Sequence, residues 1–190
     1  MMTLTKIKRR TILSLPFAFI ASQTHGSEQG WRALAQGEAI ALIRHAQAPG
    51  TGDPANFRIG DCSTQRNLSD EGREQSRRLG ALFRAEGIQV ARIYSSQWCR
   101  CLETAKLMGL GPVNELPALN SFFDNASRGP AQTQELIEWL TRQDQSQPIV
   151  LVTHLVNITR LTGIVPRQGE IVFIAPPTVD EIVVIDRQTV

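Results

Sequence analysis

The chain has 190 residues, of which 42% are hydrophobic and 20% are charged, which suits one globular domain with a hydrophobic core and excludes a disordered chain. The formal net charge of +2 misleads, because four basic residues and no acidic residue lie within the first 26 positions. The remainder holds 16 basic and 18 acidic residues, a near-neutral balance that excludes a broad basic surface for nucleic acid.

The first 26 residues have the organisation of an export signal. A basic segment from Lys6 to Arg10 precedes an apolar stretch, 12–21, that is too short to span a bilayer stably. We expect cleavage after Gly26, and in a Gram-negative cell the released protein would be periplasmic, with no stable membrane insertion. Adjacent arginines at 9 and 10 leave both the Sec and the twin-arginine routes open. An uncleaved anchor is the alternative.

Beyond the signal, residues 27–37 are expected to form a lead-in linker and residues 38–190 a single domain. The hydrophobic pattern predicts strands at 38–44, 90–94, 112–116, 148–153, 171–174 and 182–185. It predicts helices at 69–86, 95–108, 131–142 and 157–162. Strands that alternate with helices indicate a three-layer α/β/α sandwich, with a mostly parallel central sheet and helices on both faces.

The two histidines after the signal each follow a hydrophobic run that is predicted to be a strand. His45 follows residues 39–43 with only Arg44 between, and His154 follows residues 149–153. Either histidine alone is typical of an ordinary polar residue at a strand end. Because ligands bind at the carboxyl ends of strands in open α/β sheets, the two together indicate one active site.

The predicted export affects what we expect of the three cysteines. In an oxidising compartment we expect one disulfide, which joins Cys62 to either Cys99 or Cys101 and leaves one thiol. The same three residues make a poor zinc site, because they lack two close pairs and a nearby histidine. A thiol-dependent redox protein is a further hypothesis, although Cys-x-Cys is not the spacing of dithiol motifs.

Arginine and histidine at neighbouring strand ends suit a phosphoryl group. Arg44, His45 and His154 are joined by Arg100, which lies early in the predicted helix after the second strand. Arginine forks pair with phosphate oxygens, helix N-termini add backbone donors, and histidine is a competent nucleophile. Arg58 and Arg66, in the long loop after His45, are interpreted as solvated arginines rather than substrate contacts.

The chain resembles the histidine phosphatase superfamily, the phosphoglycerate mutase-like proteins of branch 1, over residues 38 to 186. Four segments carry the resemblance in the family's order: Leu42-Ile43-Arg44-His45-Ala46, 68–80, 94–105 and 150–154. The resemblance implies that His45 forms a phosphohistidine, that Arg44 and Arg100 hold the phosphoryl oxygens, and that His154 completes the pocket. It implies no metal and no organic cofactor.

Two departures from the family pattern affect the predicted site. Ala46 stands where the family usually has glycine, and His154 is followed by Leu155 rather than by aspartate. The general acid must therefore come from elsewhere, and Asp124 is the preferred candidate, with a turn-capping role as its alternative. Asn157, one turn past His154, is a candidate phosphate contact or a helix cap.

The leading hypothesis is an exported phosphomonoesterase that hydrolyses a phosphorylated small molecule or envelope sugar through a phosphohistidine on His45. The alternative is a non-catalytic module on the same fold that binds a phosphate ligand. Turnover of an aryl phosphate separates the two, since a binding module has none above background.

Overall fold

The computed structural model describes residues 28–179 and 181–190. The predicted export signal lies outside these residues. The described part holds six strands: β1 (Ile40–Arg44), β2 (Arg92–Ser95), β3 (Val113–Glu115), β4 (Ile149–Thr153), β5 (Ile171–Ile174) and β6 (Val184–Gln188). It holds five α-helices: α1 (Glu28–Ala35), α2 (Asp70–Ala85), α3 (Cys99–Met108), α4 (Gly129–Thr141) and α5 (Leu155–Thr162).

The strands form one mostly parallel sheet in the order β3-β2-β4-β1-β5-β6. The β3–β2, β2–β4 and β4–β1 pairs are parallel, whereas β5 and β6 join as an antiparallel extension. The carboxyl ends of β1, β2 and β4 therefore meet at one edge of the sheet, which is where these strands were predicted to place their polar residues.

Helices cover both faces of the sheet, as the sequence predicts. One core cluster joins α1, α2 and α3 to one face, and it includes Ile43, Val152 and Phe173. The other joins α4 and α5 to the opposite face, and it includes Leu42, Leu151 and Val172. Because successive strand residues point to opposite faces, the continuous apolar runs of β1, β4 and β5 serve both clusters. The predicted three-layer fold is confirmed.

The predicted linker at 27–37 is wrong, because residues 28–35 form helix α1. The helix buries Trp31 and Leu34 in the first core cluster, where the Trp31 ring packs edge-on against those of Phe83 and Phe173 at centroid distances of 4.8 and 5.0 Å. Aromatic pairs of this geometry stabilise beyond their buried area. The helix thus exists because the sheet and α2 offer its apolar face a partner.

The boundaries of one helix and one strand also differ from the predicted ones. Helix α3 begins at Cys99 rather than at Ser95, because the backbone of Ser96 still pairs with β4 and that of Gln97 is held by a side chain. Strand β6 lies two residues later than predicted, since antiparallel pairing with β5 continues to Gln188. Both shifts come from tertiary hydrogen bonds that local sequence does not encode.

Helix α2 begins where the sequence predicts and fixes the chain after His45. The Ser69 side chain accepts a hydrogen bond from the Gly72 backbone N–H at 3.0 Å, an ordinary N-cap. A Cβ atom at Gly72 would lie 2.1 Å from the Gln47 carbonyl oxygen, so only glycine permits this approach. The segment that follows the nucleophile candidate is thereby packed against the helix start.

Candidate phosphoryl-transfer site

The structure brings the predicted basic residues into one cavity of about 260 Å³ at the carboxyl ends of β1, β2 and β4. Its walls include Arg44, His45, Arg100 and His154. The His45 and His154 rings meet edge to face, with centroids 5.6 Å apart. Arg66, which the sequence suggested was solvated, also lines the cavity. Two imidazoles and three guanidinium groups thus surround one small space.

His45 is held as a neutral imidazole with one defined tautomer. Its side chain is buried, and its Nδ1 lies 2.8 Å from the Ala46 carbonyl oxygen, so Nδ1 carries the proton and donates it. Burial, and then the positive charge of Arg100, lowers the pKa of His45 to about 3. The Nε2 lone pair is therefore unprotonated at neutral pH, which is what a nucleophile needs.

The backbone after His45 is fixed by α3. The Ala46 N–H donates to the Thr104 hydroxyl at 3.0 Å, and the Ala46 side chain is buried against Ala48 and Leu68. The methyl group that replaces the family's usual glycine therefore occupies core space and leaves the cavity unobstructed.

His154 belongs to a buried hydrogen-bond chain. Because Arg100 donates to Nδ1 at 3.5 Å, Nε2 carries the proton and donates to the Ser96 hydroxyl at 2.8 Å. The Ser96 hydroxyl in turn donates to the Asn120 side-chain oxygen at 3.2 Å. Burial and the charges of His45 and Arg100 hold the pKa of His154 well below its usual value. A second neutral imidazole thus faces the nucleophile candidate.

The arginines are anchored to the backbone around the cavity. Arg44 donates to the Pro166 carbonyl at 2.9 Å, and Arg66 donates to the carbonyls of Gly52, at 2.9 Å, and Ala48. Desolvation, followed by repulsion from Arg100, lowers the pKa of both guanidinium groups. With ordinary pKa values above 12 they stay charged, and the anchoring pre-organises them for an anion.

A carboxylate that sequence reasoning missed, Asp53, contacts Arg100 inside the cavity. The two form a bidentate ion pair, with Nη1–Oδ1 and Nη2–Oδ2 distances of 2.8 and 3.1 Å and side chains only 4% and 6% exposed. Burial raises the pKa of Asp53, but the hydrogen bonds from Arg100, Arg66 and Trp98 outweigh it, and the net pKa is lowered. Asp53 is therefore ionised at neutral pH.

The two remaining predicted site residues have different positions. Asp124 is exposed and lies at the rim of the cavity, beside Phe123. Asn157 does not line the cavity. Its buried amide donates to the Leu119 and Asn120 carbonyls at 2.8 and 3.0 Å, which corrects the expected phosphate contact to a structural role.

The cysteines resolve the alternative that the sequence left open. Cys62 and Cys99 form the disulfide, and Cys101 is a free, fully buried thiol. Burial raises the pKa of the Cys101 thiol to about 12, which makes it unreactive at neutral pH. A redox function that uses Cys99 and Cys101 together does not fit this arrangement. Among the described residues, no group of three His, Cys, Asp or Glu side chains is placed to hold a metal ion, and no helix is long and apolar enough to cross a bilayer.

Sequence reasoning missed Asp53 and assigned Arg66 to solvent because both lie in the long loop that follows His45. The length of that loop was the available signal, since loops of this size are uncommon unless functional. By contrast Arg58, in the same loop, is exposed and pairs with Asp61. Local sequence does not tell these arginines apart, because the difference lies in tertiary contacts.

Comparison with known proteins agrees with this geometry. The family model described as the histidine phosphatase superfamily (branch 1) matches residues 40–123. No curated protein matches the chain. Among solved structures, the protein histidine phosphatase SixA complexed with tungstate superposes with a TM-score of 0.54 at 18% identity, covering 80% of this chain and 96% of that one.

Two further structures share the fold. A phosphoserine phosphatase mutant from Entamoeba histolytica, in complex with phosphoserine, gives a TM-score of 0.56 at 16% identity, with 80% and 96% coverage of the two chains. A mycobacterial glucosyl-3-phosphoglycerate phosphatase gives 0.51 at 16% identity, with 72% and 89% coverage. At such identities the likeness establishes the fold alone. The family model and these structures agree with the predicted resemblance: the chain matches the histidine phosphatase superfamily (branch 1) model over residues 40–123 and has the same fold as these phosphatases.

Proposed function

We propose that the protein is a phosphomonoesterase that works through a phosphohistidine on His45. The observation that carries the proposal is the neutral His45, whose Nδ1 is bonded to Ala46 and which lines a cavity with Arg44, Arg66, Arg100 and a second neutral histidine. Such a cavity binds the oxygens of a phosphoryl group and stabilises the charge that develops on them during transfer.

The first step transfers the phosphoryl group to the enzyme. The Nε2 lone pair of His45 forms a bond to phosphorus while the bond from phosphorus to the ester oxygen breaks. The leaving oxygen takes a proton from an acid at the rim, for which Asp124 is the candidate in this chain. The Nδ1–H bond to the Ala46 carbonyl stabilises the positive charge that the ring gains.

The second step restores the enzyme. Water attacks the phosphorus, its hydroxyl part remains on the phosphate, and its other proton passes to the rim carboxylate. The nitrogen–phosphorus bond breaks, and its electrons return to His45 as the Nε2 lone pair. Inorganic phosphate then leaves. The arginines supply the positive charge for both steps.

The substrate that we propose is a phosphorylated small molecule, with a sugar phosphate of the cell envelope as one such compound. The small size of the cavity, about 260 Å³, favours a compact phosphoester. Two of the fold neighbours are named for small-molecule substrates, phosphoserine and glucosyl-3-phosphoglycerate.

The test is hydrolysis of an aryl phosphate in the presence of EDTA and without added metal. We expect turnover by the wild type and by the matched control Arg58→Ala, whose side chain is exposed in the same loop. We expect His45→Ala to lose at least about 1,000-fold, since it lacks the nucleophile. During turnover of a labelled substrate, the wild type should carry the phosphoryl group on His45. An alkaline quench should preserve this label and an acid quench should destroy it. Activity that survives His45→Ala would exclude this mechanism.

The second candidate function is a phosphate-binding module without turnover. The observation in its favour is that the one carboxyl group buried in the cavity, Asp53, is committed to Arg100, while Asp124 is exposed. The same assay separates the two functions, because a binding module gives no product above background even when it binds phosphate tightly.

We further propose that the protein acts outside the cytoplasm, in the periplasm of a Gram-negative cell. The signal-like segment at residues 1–26 and the Cys62–Cys99 disulfide support this location. Fractionation of expressing cells tests it: the processed protein should accompany a periplasmic marker, and unprocessed protein in the cytoplasm would contradict export.

A further inference from the structure

The Asp53 carboxylate is bound in the way that an arginine pocket binds an anion. Besides the two bonds from Arg100, its Oδ1 accepts from the Arg66 backbone N–H at 3.0 Å, and its Oδ2 accepts from Trp98 Nε1 at 3.0 Å. Both terminal nitrogens of Arg100 are thereby occupied by the protein itself. The Arg100 Nε is buried and without a hydrogen-bond partner.

The segment that carries Asp53 is held by hydrogen bonds to Arg66 as well as to Arg100, and two glycines make its backbone permissive. Gly50 and Gly52 precede it with φ angles of +90° and +67°, and the space around a Cβ at either position is open or limited by one side chain. Asp53 itself faces the cavity, so an incoming anion meets its carboxylate directly. Two permissive backbone positions beside a buried ion pair allow the pair to open by rotation of the loop.

We propose that Asp53 competes with the phosphoryl group for Arg100 and thereby sets the affinity of the cavity for oxyanions. Substrate oxygens replace the carboxylate on the terminal nitrogens of Arg100, and the loop at 50–53 turns outward. The inference rests on the proposed function, since the competing ligand is the phosphoryl group of the substrate. No covalent bond changes in this exchange.

Competition of this kind lowers the affinity of the cavity for ester and product alike. A ligand that binds only the form with Arg100 released has its affinity reduced by the fraction of that form. The ester and inorganic phosphate must both displace Asp53, so both lose affinity by the same factor. The ester has additional contacts from its leaving group and inorganic phosphate has none, so the lowered affinity favours release of the product after each turnover.

The experiment measures tungstate, vanadate and inorganic phosphate binding by titration calorimetry. Asp53→Asn removes the competing charge, and we expect its affinity for each oxyanion to rise about tenfold or more. The phosphate inhibition constant in the aryl phosphate assay should fall in parallel. Asp61→Asn is the matched control, because it removes a carboxylate of the same loop that forms an ion pair with exposed Arg58, and asparagine keeps an oxygen for the hydrogen bonds from Ser63. Its affinities should equal those of the wild type.

A second variant distinguishes displacement from simple charge repulsion, and it decides the matter should Asp53→Asn fail to fold. Trp98→Phe keeps an aromatic ring against Phe57 and keeps the Asp53 charge, but it removes one of the four hydrogen bonds that hold the carboxylate. Displacement predicts severalfold tighter tungstate binding in this variant. Repulsion through space predicts no change.

The outcomes separate this inference from the proposed function. Unchanged or weaker oxyanion binding in Asp53→Asn would overturn the inference, since Asp53 would then only anchor Arg100. An unchanged Trp98→Phe would overturn it also. Neither result bears on whether His45→Ala abolishes turnover. Conversely, tighter binding in both variants with no turnover in the wild type would support the competition and leave the phosphatase proposal refuted.

Discussion

Protonation of His45 should make the free energy of unfolding depend on pH in a defined window. The pKa of this histidine is about 3 in the folded protein and about 6.5 when the chain is unfolded. Between these values the unfolded chain binds more protons than the folded one. Stability is therefore complete above pH 6.5 and is lost as the pH falls below that value.

The size of the loss follows from the two pKa values. Between pH 7 and pH 5, His45 alone should lower the free energy of unfolding by about 2 kcal/mol. For a chain of this length that corresponds to a drop of about 4–8 °C in Tm. Because other groups titrate over the same range, the quantity to compare is the pH dependence of wild type against that of His45→Asn.

Urea unfolding at pH 7 and pH 5 measures the difference. We expect the wild type to lose about 2 kcal/mol more than His45→Asn, because asparagine does not titrate. His154 is present in both proteins, so its contribution largely cancels. Equal losses in the two proteins would mean that His45 keeps an ordinary pKa, and the argument that burial makes it a neutral nucleophile would fail.

Two other variants test the structural assignments. Replacing Cys62 and Cys99 with serine removes a crosslink between residues 37 positions apart and should lower the free energy of unfolding, measured in urea, by about 3–4 kcal/mol. Cys101→Ser breaks no disulfide and is the control, so its m-value and refolding should show no effect of an opened loop. Asn157→Ala removes the two buried hydrogen bonds to the Leu119 and Asn120 carbonyls, which keep their bonds from Thr153 and Gln132, and should cost about 1–3 kcal/mol. Its tungstate affinity should stay within about twofold of wild type, and a larger loss would restore the predicted phosphate contact.

The parts of the fold that the sequence predicts well are those with a continuous local signal. Strands β1, β4 and β5 are apolar runs buried on both faces, and their ends mark where the chain leaves the sheet. That rule predicts that His45 and His154 lie together. The start of α2 is equally local, since a side-chain oxygen at Ser69 and a nearby N–H suffice.

The parts that escaped prediction depend on contacts between distant residues. Helix α1 is short and contains a glycine, and it is stable because Trp31 packs on Phe173, 142 positions along the chain. Asp53 lies in a loop rich in glycine and proline, and its partner Arg100 is 47 residues away. No local pattern distinguishes such residues from their solvated neighbours, so only the folded arrangement reveals them.

The charges of the cavity explain why the histidines must be neutral. Arg44, Arg66 and Arg100 contribute three positive charges and Asp53 contributes one negative charge. With neutral histidines the cavity complements a phosphomonoester dianion, which carries a charge near −2. Protonated histidines would add two charges and remove the nucleophile's lone pair. The burial that lowers both histidine pKa values therefore serves anion recognition and nucleophilic attack together.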